Sequence, residues 1–159
     1  MWSKLLRIKQ LTQQRRHLLV EALVTLAVVR LAMLLLPFHR IATWMGTVGA
    51  TTPEQTTPNE LLMAKEIGWA IGVLARRVPW DGRCLAQALA GMAMLRRRGL
   101  QGTISFGASR GEKYTFMAHA WLRFGPLLVT GGAEYERYNV FTTFAREQNE
   151  TSAAKINQG

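Results

Sequence analysis

Cysteine is almost absent from this chain of 159 residues: Cys84 is the only one. A single thiol excludes an intrachain disulfide and a metal-binding thiol cluster, and it suits a reducing, cytoplasmic setting. Histidine is nearly as scarce, with only His17, His39 and His119, so a zinc site built on several histidines is poorly supported and no metal is expected. No phosphate-cradling G-x-x-x-x-G-K-[ST] loop occurs, and no nucleotide or other cofactor is expected. Acidic residues are few, ten against twenty Lys and Arg, for a formal charge of +10. A surface of that sign attracts acidic peptides, acidic proteins, nucleic acid or an anionic membrane face. The densest positive run, Arg96-Arg97-Arg98, has no aromatic-rich nucleic-acid motif beside it, and nucleic acid is not expected as a partner. It precedes Gly99 at a predicted helix end, where cations favour the helix dipole and glycine can cap, so helix termination explains much of it.

Hydrophobic residues make up 48% of the chain, enough for one domain with a real core and too many for wholesale disorder. The most apolar stretch is residues 18–36, interrupted by Glu21 and Arg30. These two lie nine positions apart and point to roughly opposite sides of a helix. The stretch therefore reads as a largely buried helix, or one that packs on a partner, more than as a membrane span. It should end near Pro37. No small-residue A-x-A site follows, so a secretory signal is a poor fit. Lys4, Arg7, Lys9, Arg15 and Arg16 could hold the segment against anionic lipid, and peripheral membrane contact is carried as an expectation. Residues 38–56 lose periodicity and collect Gly46, Gly49, Thr51, Thr52 and Pro53, which reads as a linker. The organisation expected is a helical segment and linker over 1–56 packed on the same domain, a core over 57–146 and a polar tail over 147–159.

Thr57-Pro58-Asn59-Glu60 combines a capping threonine, a proline at the first helical position and the glutamate of a capping box. Leu61, Ala64, Ile67, Ile71 and Leu74 follow at steps of three or four, so one face enters the core. Asp81 is the expected cap of the next helix, with Cys84 as its third residue. A helix start stabilises negative charge, and a thiolate attacks carbonyls where a thiol does not. The backbone N–H of Cys84 could face a developing oxyanion. Leu85, Ala88, Leu89, Met92 and Leu95 form a stripe that anchors this helix, and Ala88, Ala90, Gly91 and Ala93 allow close packing on a sheet.

After Gly99 the period becomes that of strands. Residues 103–106 read as a short strand ending at Gly107, residues 108–113 as a polar turn, and residues 114–124 as a long strand. Gly125-Pro126 turns the chain back into residues 127–130, a hairpin. Met117, His119, Trp121 and Arg123 share one face of the long strand. His119 alone reads as a core histidine bonded to backbone. With Cys84 it becomes a candidate base that takes the thiol proton and returns it to a leaving amine. Trp121 either shields that pair or is plain core. Helices followed by a small antiparallel sheet give an α+β class.

The set Arg83-Cys84-Leu85, Ala88-Leu89-Ala90, Leu95-Arg96-Arg97-Arg98-Gly99, Ser105-Phe106-Gly107 and Ala118-His119-Ala120-Trp121 resembles the lasso peptide maturation proteases. These are the B2 proteins, related to the C-terminal half of the microcin J25 processing protein. The resemblance extends from about residue 18 to residue 144. It implies a papain-like or transglutaminase-like core with N-terminal helices and a nucleophile helix. It also implies a cysteine peptidase that removes the leader from a ribosomally made lasso precursor peptide, with Cys84 as nucleophile and His119 as base. The expected partners are that precursor, a separate leader-recognition protein (B1-type) and an ATP-dependent lasso cyclase that uses the freed amine. The family places an Asp roughly a dozen residues beyond the histidine to orient it. This chain has Thr130-Gly131-Gly132-Ala133-Glu134 there, and no aspartate follows Asp81. Glu134 is the nearest acid and the candidate third member, with a Cys-His dyad, Glu136 and Asn139 as alternatives. The rival reading from another class is a non-catalytic precursor-binding scaffold on the same fold.

Overall fold

The capping box at Thr57 forms as its residue types dictate. The Thr57 N–H donates to Glu60 Oε2 at 2.8 Å and the Glu60 N–H to Thr57 Oγ1 at 3.3 Å. The computed structural model describes residues 12–78, 84–111, 116–132 and 135–146. It contains helix α1 (Gln13–Leu35), α2 (Phe38–Met45), strand β1 (Thr47–Val48), α3 (Pro58–Ala75), α4 (Cys84–Arg96) and strands β2 (Thr103–Arg110), β3 (Phe116–Phe124), β4 (Leu127–Thr130) and β5 (Asn139–Ala145). A 3-10 turn at Tyr135–Arg137 precedes β5. The fold is α+β: three helices lie against one face of a five-stranded antiparallel sheet of order β1-β5-β2-β3-β4.

Helix α4 is the centre of the core. Ala86, Ala88, Leu89, Ala90, Gly91, Met92, Met94 and Leu95 are all buried, and the helix packs on α1, α3, β2, β3 and β4. Small residues permit this. A methyl at Gly91 would lie 2.6 Å from Leu122 Cδ2 and 3.5 Å from Thr130 Cγ2. From α3, Ala64, Ile67, Ala70 and Ile71 face the same core, which Ile104, Leu122, Phe124 and Phe144 complete from the sheet. The other sheet face is partly closed by the segment leading to α3. Thr52 donates its N–H to Thr103 Oγ1 at 2.8 Å, and Arg123 donates to the Thr52 carbonyl at 2.9 Å.

Several sequence expectations change. Residues 38–56 are not a plain linker: they hold α2, whose Ile41 and Met45 are buried, and the short strand β1. Pro37 ends one helix and caps the start of the next. The strand expected over 103–106 continues through Gly107 to Arg110, because both β3 and β5 pair with it along that length. Strand β5 had no counterpart in the sequence reading. Helix α1 is not largely buried. Leu18, Ala22, Thr25 and Leu26 form its covered stripe, whereas Val20, Val24, Val28, Leu31 and Leu35 are exposed, Leu35 by 71%. By length and composition alone α1 could cross a membrane.

The triple arginine also does more than end a helix. The Gly99 and Leu100 N–H groups do close α4, onto the carbonyls of Arg96 and Leu95, the two bonds of a Schellman cap. The three side chains reach other elements. Arg96 donates to the carbonyls of Trp44 and Met45, both at 2.6 Å, and lies 4.5 Å over the Trp44 ring. Burial, then the charge of Arg146, push its guanidinium down to about 10, which leaves it charged at neutral pH. Arg98 grips both oxygens of Glu21 at 2.9 and 2.7 Å, and Arg97 reaches the first of them at 3.2 Å. A second two-pronged pair, Arg15 with Glu66 at 2.7 Å twice, ties α1 to α3.

Glu21→Gln should lower stability at neutral pH by about 1–2 kcal/mol, the range for a charged hydrogen bond that is not fully buried. The Arg98 hydrogen bond, then the charges of Arg98 and Arg97, hold the Glu21 carboxyl below its ordinary 4.5 against the opposing effect of burial. A depressed carboxyl contributes stability that is complete above its unfolded value and is lost as pH falls through the folded one. Urea midpoints of variant and wild type should therefore differ at neutral pH and converge in acid. An equal gap at both would assign the loss to packing.

Candidate functional site

Cys84 is the first described residue of α4, half-buried and with a free thiol. The cap expected at Asp81, and with it the expected place of Cys84 as the third helical residue, lies outside the described residues. His119 lies in the middle of β3, half-buried, opposite Gly107 of β2.

Helix α4, which carries Cys84, packs on β3, which carries His119, as well as on β2 and β4. Leu95 meets Gly102, beside the pairing of Thr103 with Arg123, and Gly91 meets Leu122 and Thr130. These contacts join the second half of α4 to the second half of β3. The faces differ, however. Leu122 points into the core against α4, whereas His119 alternates with it and shares the opposite face with Trp121. No hydrogen bond joins Cys84 to His119 among the described residues.

The imidazole has its own well-defined surroundings. Its Nε2 lies 2.8 Å from the carbonyl oxygen of Gly131. Trp121 stacks beside it, with centroids 5.8 Å apart and planes at 28°, and Tyr138 approaches it to 4.9 Å at 30°. Tyr135 in turn packs on Trp121 at 6.1 Å. Gly107 makes this cluster possible: a Cβ there would lie 2.8 Å from both Trp121 Cη2 and Tyr138 Cβ. Trp121 is buried, as the plain-core reading holds, and it is also the wall beside the histidine. Glu134 lies outside the described residues. Glu136 and Asn139 are described, both exposed, and neither hydrogen-bonds to His119 among the described residues. No group of three or more His, Cys, Asp or Glu that could hold a metal comes together among the described residues.

A helix-borne thiol, a strand-borne histidine and this order of elements point to one family, and the chain matches the transglutaminase-like superfamily over residues 22–143. The chain belongs to that superfamily. The match runs from α1 into β5, so it takes in the N-terminal helix as well as the strands, and the family is the one associated with the B2 proteins of lasso peptide biosynthesis. No curated protein and no solved structure matches the chain. For a transglutaminase-like chain, the residues that the sequence reading passed over are Gly131 and Tyr138. Gly131 carried a signal: it stands 12 residues beyond His119. Tyr138 carried none, because its place beside the ring depends on how the segment before β5 folds back.

Gly107→Ala should disturb the aromatic cluster more than the core, since the added methyl meets Trp121 and Tyr138. Overpacking of this kind costs about 1–3 kcal/mol. The near-ultraviolet circular dichroism band of the aromatic residues should change while the far-ultraviolet spectrum stays. An unchanged near-ultraviolet band would mean that the cluster has room to spare.

Proposed function

We propose that this transglutaminase-like protein is a cysteine peptidase that removes the leader from a ribosomally synthesised lasso precursor before cyclisation. The observation that carries the reading is the family match combined with a lone cysteine on the buried helix α4 and a histidine on β3, the strand that helix packs against. In the reaction His119 takes the proton of the Cys84 thiol, and the thiolate attacks the carbonyl carbon of the leader's last residue. In this reading the Cys84 N–H donates to the resulting oxyanion. The C–N bond then breaks, and the imidazolium proton goes to the departing α-amino group of the core peptide. Water, deprotonated by the same imidazole, hydrolyses the thioester, releasing the leader carboxylate and restoring the thiol.

The reading includes partners. A separate leader-recognition protein presents the precursor, and the amine freed by cleavage is the group that an ATP-dependent cyclase joins to a side-chain carboxylate. The exposed apolar residues of α1 offer a contact surface for such assembly.

One observation favours a second reading, that of a precursor-binding scaffold without catalysis: the His119 ring faces Trp121 and makes no hydrogen bond to Cys84 among the described residues. Cys84→Ala separates the two. A peptidase loses single-site cleavage of the precursor at the leader–core junction, with the recognition partner present, and keeps binding to that partner. Cleavage that persists in the variant removes the thiol mechanism. No cleavage by the wild type, with binding intact, supports the scaffold.

A further inference from the structure

We infer that the backbone carbonyl of Gly131 orients the His119 imidazole, in the place where the family uses a carboxylate side chain; the catalytic meaning of this rests on the peptidase reading. The Nε2–carbonyl separation is 2.8 Å. A carbonyl oxygen accepts and never donates, so the shared hydrogen is on Nε2, and in the neutral ring the lone pair is left on Nδ1. That fixes which nitrogen serves as the base. In a catalytic triad the acid does two things: it selects the tautomer and orientation of the imidazole, and it stabilises the imidazolium by charge. The Gly131 carbonyl supplies the first and, being neutral, little of the second.

The local backbone is built for this contact. Gly131 has φ +73°, in the left-handed region, and a Cβ there would lie 2.8 Å from the Ala120 carbonyl oxygen and 2.8 Å from Trp121 Cβ. Only glycine brings its carbonyl that close to β3. The bond spans 12 residues, the spacing at which the family's acid is expected. Trp121 and Tyr138 flank the ring and limit its rotation, so the carbonyl has one dominant ring orientation to meet. The side chain of a triad acid is thus replaced here by the main chain at the same distance along the sequence.

Long-range 1H–15N correlation spectra of the uniformly labelled protein test this directly, with His119→Gln used to assign the ring signals against His17 and His39. The expected result is that the neutral ring of His119 has the Nε2–H form, unchanged in Glu134→Gln. A Nδ1–H form in the wild type, or a change of tautomer in Glu134→Gln, overturns the assignment. Both spectra are read without any cleavage assay, so failure here is distinct from failure of the peptidase reading, which Cys84→Ala decides. In the cleavage assay Gly131→Ala should lower kcat about 100-fold with KM within about twofold, as expected when a reacting group is displaced by about 1 Å. An Ala variant with wild-type kcat and the Nε2–H form overturns the proposal. If that variant does not fold, the wild-type and Glu134→Gln spectra carry the decision.

Discussion

Because α4 packs on α1, on α3 and on the sheet at once, its side chains must be small where the backbones converge and apolar nearly throughout. Ala86, Ala88, Ala90 and Gly91 meet the first demand, and Leu89, Met92, Met94 and Leu95 fill the space between. Only the two ends of such a helix are available for polar work, and this chain uses them differently. The C-terminal end carries Arg96, Arg97 and Arg98, which fasten α2 and α1. The N-terminal end carries the thiol. Packing on so many sides fixes the backbone from which that thiol projects.

Much of this arrangement was legible in the sequence where the signal was local. The capping box at Thr57 and Glu60 and the stripe from Leu61 to Leu74 announced α3, and Gly125-Pro126 announced the β3–β4 hairpin, because each depends on neighbours a few residues apart. Helix α2 was missed although Phe38, Ile41 and Met45 stand at helical steps; two turns flanked by Pro37 and Gly46 give periodicity little length in which to register. Strand β5 was missed for a different reason. Asn139, Val140 and Phe141 are all exposed and only the last residues enter the core, so alternation is faint and the strand exists because β2 offers it an edge.

The site divides along the same line. The types and order of Cys84 and His119 can be read from the chain, and so can the absence of a following aspartate. The group that meets the histidine is a backbone atom, and no side-chain motif can announce it. Gly131 is legible only as an interruption, a glycine where an acid would stand. Tyr138 and Gly107 join the histidine's surroundings through sheet pairing and chain reversal, both long-range events. The arginine run misled in the opposite direction: local rules for helix ends accounted for it well enough to hide its tertiary partners.

The fastening of α1 is uneven along its length. Both ion pairs, Arg15 with Glu66 and Glu21 with Arg98, act in its first half, together with buried Leu18, Ala22, Thr25 and Leu26. Beyond Thr25 and Leu26 the helix is held by the partly buried Val29 and Met33 while Val28, Leu31, Leu34 and Leu35 face outward. Local opening free energy follows buried apolar contact, so amide protection should decline from the N-terminal half toward the C-terminal half of this one helix. The far end of the second half is held instead through Pro37 by α2, whose buried Ile41 and Met45 and whose last carbonyls, gripped by Arg96, tie it back to the central helix.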